Sequence, residues 1–223
     1  MQVKNLKILI IIPARKNSKR LKNKNLLKIK KKSLIQKTID TAIKITNKKN
    51  IIVSTDSKKI LKIAKQNQVL APWLRPKKLS TDNISTEKVV LHALNWFEKN
   101  FGKVNCLLLL QPTSPFRRIK SIRNGLHLFS KNKDYSIISI KNINSSTNFF
   151  KMNKKNYKLS NIKKKNKNCF EPNGSFYIIN PKDLKIQKTF YIKKLKGLVL
   201  NSKKENIDID NFYDLKTARS IKK

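Results

Sequence analysis

Only four glycines occur in the 223 residues, and that scarcity removes whole classes of nucleotide site. A P-loop and a G-x-G-x-x-G turn both need glycine where the backbone approaches a phosphate closely, and neither pattern is present. Cysteine is rarer still: Cys106 and Cys169 lack metal or disulfide spacing, and Cys106 falls inside an apolar run. A reduced protein is therefore expected, with neither a disulfide framework nor a structural zinc. No apolar run approaches the roughly 18 residues of a membrane span, and no signal-peptide cleavage pattern follows the first run. These absences point to a cytoplasmic protein without a membrane partner. Acidic residues are also few, 12 against 53 Lys and Arg, for a formal net charge of +41.

That imbalance raises the question of a polyanion partner. The make-up of the charge argues against one. Only seven of the basic residues are arginine, whereas nucleic-acid readers favour arginine for its bidentate fork. The lysines are spread along the whole chain, and the aromatics, 8% of residues, lie mostly in apolar runs. Lys, Asn and Ile share A- and U-rich codons, so the charge reads as compositional background with no specific nucleic-acid partner.

Against that background the apolar pattern is clear. Strands are expected at Ile8–Ile12, Ile51–Ser54, Cys106–Leu110, Tyr135–Ile140 and Phe176–Ile179, and helices at Leu34–Ile45, Lys58–Gln66, Thr86–Phe97 and Phe212–Ile221. Alternation of strand and helix implies one α/β domain over residues 1–223, built on a mostly parallel sheet covered on both faces. Residues 141–172 lose the pattern and read as an inserted arm or dimerisation subdomain. Ligands of such sheets bind beyond the carboxyl ends of the strands, which places loops 13–25, 55–57 and 111–118 on one rim.

Each loop carries candidate chemistry. The first reads "PARKNSKRLKNKN"; Arg15, Ser18 and Lys24 suit a triphosphate, and Asn17 suits a left-handed turn. The same loop is also what an exposed segment of a basic protein would look like. In "QPTSPFR", two prolines stiffen the exit from a strand and leave Gln111, Thr113, Ser114 and Arg117 to face the rim, unless the segment merely leads into the next helix. In "NIDIDNFYDL", Asp208 and Asp210 stand two apart, which on an extended backbone puts both on one face. A helix cap at Asp210 or Asn211 accounts for one carboxylate only; the pair suits Mg²⁺, which takes a few protein oxygens plus substrate phosphates. His92 and His127 have no nucleophile nearby in the pattern, Trp73 and Trp96 read as packing residues, and Asp56 either caps a helix or touches a ligand.

Six stretches together extend this reading. "IIPARKNSKRLKNKN", "IIVSTD", "LRPKKLSTD", "LLLLQPTSPFR", "PNGSFYI" and "IDIDNFYDL", in order across residues 8–215, resemble the CMP-sialic acid synthetases, the N-acylneuraminate cytidylyltransferases. The resemblance implies a Rossmann-like nucleotidyltransferase fold with a small dimerisation and sugar-binding arm, usually a homodimer, that uses CTP and Mg²⁺. It implies transfer of CMP to the anomeric hydroxyl of a nonulosonic acid, such as sialic, legionaminic or pseudaminic acid, with release of pyrophosphate. By the same resemblance Arg15, Ser18, Lys19 and Lys24 contact the triphosphate, with Asn25 near the nucleotide. Arg75 and the Ser85–Thr86 segment hold the cytidine. Gln111, Thr113, Asn173 and Gly174 line the meeting place of sugar and nucleotide. Asp208 and Asp210 bind the metal, and the catalytic roles fall to Arg15, Lys24 and Asp210, the last also as a proton acceptor.

Two departures stand out. Asn17 and Arg20 occupy positions where the family often has glycine. The arm reads "KKKNKNCFEPNG", with lysines where the family carries Arg-Gln and Glu171 where it often has Arg; Lys163 is the expected partner of the sugar carboxylate. Alternatives are a sugar nucleotidyltransferase acting on an eight-carbon acid sugar, a basic nucleic-acid-binding module, and a nucleotide-binding relative without turnover.

Overall fold

The computed structural model describes residues 6–143, 150–152, 159–161 and 169–221. Its centre is a six-stranded sheet. The strands are β1 (Ile8–Pro13), β4 (Ile51–Ser54), β5 (Cys106–Leu109), β6 (Ser136–Ile143), β9 (Cys169–Ile179) and β10 (Leu195–Val199), in the order β10-β6-β9-β5-β1-β4. Strands β4, β1 and β5 run parallel, as do β6 and β10. β9 is antiparallel to both of its neighbours. All the strands but β9 therefore share one direction.

The alternation of β1 explains why helices cover both faces. Ile8, Ile10 and Ile12 pack into one core with residues of α1 (Leu34–Ile43), α2 (Lys58–Gln66) and α4 (Ile119–Lys131). Leu9 and Ile11 point the other way, into a second core with α3 (Thr86–Phe101) and α5 (Pro181–Gln187). Every interior position of β1 is buried, which is why it reads as a continuous apolar run. A hairpin of β2 (Lys28–Ile29) and β3 (Lys32–Ser33) packs with α6 (Phe212–Ser220) around Ile29, Leu34, Ile209 and Leu215. That cluster anchors the chain on either side of Asp208 and Asp210.

Except for α4, the α-helices start at hydroxyl or amide caps. Ser33, Ser57 and Ser85 accept from Gln36 N, Ile60 N and Lys88 N at the starts of α1, α2 and α3. At α6, Asn211 and Asp214 form a capping box. The cap is thus Asn211, and Asp210 is left for other work.

Within the expected arm, β6 and β9 continue as a two-stranded ladder through Ile143 and Cys169, and β7 (Phe150–Met152) pairs with β8 (Leu159–Asn161). Lys163 lies outside the described residues. No helix among the described residues is long and apolar enough to cross a membrane.

The charge has a thermodynamic consequence. Twelve acidic residues cannot neutralise 53 basic ones, so screening should relieve repulsion more than it weakens the exposed ion pairs. The melting temperature is expected to rise by several degrees between about 20 mM and about 300 mM salt. Differential scanning fluorimetry checks this; a flat or falling trend would show that the repulsion is not destabilising.

Candidate active site

Three parallel strands end on the same rim, and the loops that follow them build one cleft of about 290 Å³. Because β9 runs against β5, with Tyr177 opposite Leu109, its earlier residues Asn173–Ser175 also reach this rim. The segment bearing the two aspartates is tied in by Ile209 N, which donates to Thr113 O at 2.9 Å.

Ten of the residues expected from sequence line this cleft: Arg15, Ser18, Lys24, Asn25, Arg75, Thr86, Gln111, Thr113, Asp208 and Asp210. Lys19 lies outside the lining and pairs with Asp82 at 3.3 Å. Ser85 caps α3 through its hydroxyl. Asn173 is buried, donates to Asn206 Oδ1 at 2.7 Å and accepts from Ser175 N at 3.1 Å. Gly174 has φ of +72°, and a β-carbon there would stand 3.5 Å from an Asp208 carboxylate oxygen. The positive φ is what calls for glycine here, since a β-carbon would make only an ordinary contact with Asp208.

At one end of the cleft the basic loop meets carboxylates. Lys24 Nζ and Arg20 Nη2 lie 3.0 and 2.9 Å from the two oxygens of Asp210. Desolvation opposes ionisation of Asp210, but Lys24 and Arg20 outweigh it and hold the carboxyl below its ordinary value. Asp208 behaves differently. It keeps a surface open to the cleft yet is ringed by protein, and desolvation pushes its proton affinity up. Asp210 adds to that rise, while the Thr113 hydroxyl, Lys24 and Arg117 oppose it. The two carboxyls are thus shifted in opposite directions, Asp208 up and Asp210 down.

Arg75 also lines the cleft, beside the basic loop. Its side chain is 4% exposed, and Asp56 lies 3.6 Å away, an ion pair too long for a hydrogen bond. Nε and Nη2 of Arg75 are buried without a hydrogen-bond partner. Burial lowers its pKa, and Asp56 only partly restores it. A buried guanidinium with unused donors on a cleft wall is a costly arrangement unless a ligand completes it.

Sequence reasoning left some features unread and misplaced others. Asp56 neither caps a helix nor lines the cleft; it accepts from Lys16 N at 2.6 Å and faces Arg75, tying the basic loop to the arginine. Asp82 pairs with Arg15 at 2.5 Å. Arg117 and Ser114, expected to face the rim, are buried. The Arg117 guanidinium donates to the carbonyls of Gln111, Ser114 and Ser175, stapling the 111–117 loop to β9. The left-handed residue of the basic loop is Asn23, at φ 54°, and not Asn17; it precedes the tight turn at Lys24–Leu26, where the chain reverses. Trp73 and Trp96 stack edge-on and serve as packing residues.

A second cavity of about 130 Å³ adjoins the first, sharing Thr86 and Gln111 and lined by Tyr177, Phe190 and Tyr191. Among the described residues no group of three or more His, Cys, Asp or Glu is placed to hold a metal.

The fold is that of an α/β nucleotidyltransferase. The chain belongs to the cytidylyltransferase family, whose model matches residues 9–212. It is 36% identical over 219 residues to the CMP-N,N'-diacetyllegionaminic acid synthase of Legionella pneumophila, covering 94% of this chain and 93% of that one. The N-acylneuraminate cytidylyltransferase of Escherichia coli O18:K1:H7 is 30% identical over 96% of this chain, which spans 52% of that longer relative. The pseudaminic acid cytidylyltransferase of Campylobacter jejuni is 25% identical over 98% of this chain and 97% of its own length. In fold, the chain matches a CMP:2-keto-3-deoxy-manno-octonic acid synthetase complexed with CTP, at a TM-score of 0.68 and 17% identity over 96% of this chain and 97% of that one.

Proposed function

We propose that this chain transfers CMP from CTP to the anomeric hydroxyl of a nonulosonic acid and releases pyrophosphate. The observation that carries the reading is the make-up of one cleft: a buried arginine with unused donors, a basic loop, and the paired carboxylates Asp208 and Asp210. Arg75 reads the acceptor edge of cytosine, and Arg15, Ser18, Lys19 and Lys24 take the phosphates. The adjoining aromatic cavity, reached past Gln111 and Thr86, receives the sugar. The relatives' names favour a nonulosonic acid over an eight-carbon acid sugar, with a diacetylated legionaminic acid the first to try.

The donor set fits Mg²⁺. Of the three carboxylates that line the cleft, Asp82 is paired with Arg15 and Lys19, which leaves Asp208 and Asp210 for a metal; no group of three or more acidic, histidine or cysteine ligands forms among the described residues, and the rest of an oxygen shell is left to phosphate and water. Asp208 and Asp210 would hold the ion, which when bound neutralises phosphate charge. The sugar hydroxyl attacks the α-phosphorus and loses its proton to water as the bond from phosphorus to the pyrophosphate oxygen breaks. The chain contributes positioning and charge: Lys24, 12% exposed, and Arg15 face the phosphates, and the stapled 111–117 loop holds Gln111 against the acceptor. A homodimer in the cytoplasm is part of the proposal, in keeping with the β6–β9 ladder that runs on beyond its pairing with the other strands.

Arg75→Met tests the assignment of the base. Titration calorimetry should give CTP affinity lower by about ten- to a hundredfold, the worth of one or two charged hydrogen bonds, with inorganic pyrophosphate binding nearly unchanged. An equal loss for both ligands would place Arg75 on the phosphates and undo the orientation.

A further inference from the structure

Asp82 is unexplained by that chemistry. It lies on the connection between the turn at Lys77–Leu79 and α3, and lines the wall of the cleft that faces the basic loop. One of its oxygens is 2.5 Å from Arg15 Nη1 and the other 3.3 Å from Lys19 Nζ. Asp210 does the same to Lys24 and Arg20. The two carboxylates thus hold four cations of the 15–24 loop. Asp210 has Asp208 beside it and a use for its charge when a metal is bound. Asp82 has no such use; a carboxylate against Arg15 repels any phosphate that comes there. With 12 acidic residues in 223, its presence in this cleft is hard to ascribe to composition.

We propose that Asp82 is an internal competitor of the phosphates: it occupies Arg15 and Lys19 in the empty cleft, is displaced by the triphosphate, and reclaims them as pyrophosphate leaves. The inference rests on the nucleotide reading of this cleft. Exposure makes the exchange feasible. The Arg15 and Asp82 side chains are 35% and 38% exposed, and Lys19 is 72% exposed, so these are solvated pairs of modest strength that a polyphosphate can break. The device raises the threshold for binding. A lone phosphate or pyrophosphate, lacking the base contact, gains too little to persist in a protein whose surface attracts anions everywhere.

The test is Asp82→Asn, with Asp134→Asn as control. Asp134 forms an exposed pair with Lys194 on the β6 side of the molecule, so the control makes the same change in net charge. Binding of CTP and of inorganic pyrophosphate, each with Mg²⁺, is measured by calorimetry at low salt. Asp82→Asn should tighten both by about three- to tenfold, the scale of two such pairs, and lower the inhibition constant of pyrophosphate by the same factor. Asp134→Asn should leave both near wild type. Weaker or unchanged binding in Asp82→Asn would overturn the proposal and make Asp82 a residue that positions Arg15. Equal tightening in the control would overturn it as an effect of net charge. Failure of wild-type protein to bind CTP would instead sink the nucleotide reading itself.

Discussion

Asp208→Asn is expected to lower turnover by about a hundred- to a thousandfold, the cost of losing a charge placed for the transition state, while the fold becomes no less stable. The two halves of that expectation have one cause. Although Asp208 stays exposed to the cleft, desolvation by the protein around it makes the ionised carboxylate unfavourable, and its pKa in the folded protein stands above the ordinary carboxylate value. The sign follows from linkage. At low pH the group is protonated in both folded and unfolded chains, and no penalty exists. As pH rises from the unfolded value through the raised folded value, the unfolded chain ionises first, and the penalty grows until it is complete above the folded value. Asparagine never incurs it. The variant should therefore match wild type in acid and equal or exceed it at neutral pH in a calorimetric series without metal. Asp210 has the opposite sign: its pKa is lowered, so it contributes stability above its unfolded value that is lost as pH falls through the folded one. Asp210→Asn should cost stability at neutral pH. If Asp208→Asn were less stable there, the carboxylate would be a structural residue.

Arg117→Met should be the most damaging single change to the fold. The guanidinium is buried and donates to three backbone carbonyls, of Gln111, Ser114 and Ser175. Burial pulls its pKa down, and the nearest relief is the charge of Asp208. Methionine fills much of the volume but leaves three buried acceptors without donors, a loss of about 3 kcal/mol or more. In a chain of this size that is a fall in melting temperature of roughly 6–12 °C. Arg117→Lys should lie between, since one ammonium lacks the planar fork that reaches three carbonyls. A melting temperature within a degree or two of wild type would mean that the loop and β9 hold together without the staple.

Much of the sheet was legible because apolar runs and caps are local signals. α2 begins and ends where its pattern predicts, at Lys58 and Gln66, and α3 runs one turn beyond expectation, to Phe101. The reversed direction of β9 was not legible, since periodicity marks a strand but not its sense. α4 was expected only as a helix without bounds after the 111–117 loop, because Gly125 interrupts its apolar pattern. The structure supplies the reason for that glycine: a β-carbon there would meet the Phe176 ring at 2.7 Å. β10 is an edge strand with mostly exposed residues, so it carries no buried alternation.

The cleft divides in the same way. Rim loops could be read from strand ends, and the pairing of Asp208 with Asp210 from their spacing. The partners of Arg15, Lys16 and Arg20 could not, because Asp82, Asp56 and Asp210 lie 67, 40 and 190 residues away in sequence. Nor does an arginine declare from sequence whether it is buried. Arg117 and Arg75 are both buried, one fully bonded to carbonyls and the other with donors to spare, and only the fold tells them apart.

The central claim is the transfer of CMP, and pyrophosphate release tests it most directly. Wild-type protein with CTP and Mg²⁺ is offered a panel of nonulosonic acids and one eight-carbon acid sugar, with Asp208→Asn run beside it. The account predicts release that depends on a nonulosonic acid, disappears on chelation of the metal, and is nearly lost in the variant. Release with the eight-carbon sugar alone, or none with any acceptor while CTP still binds, would contradict it.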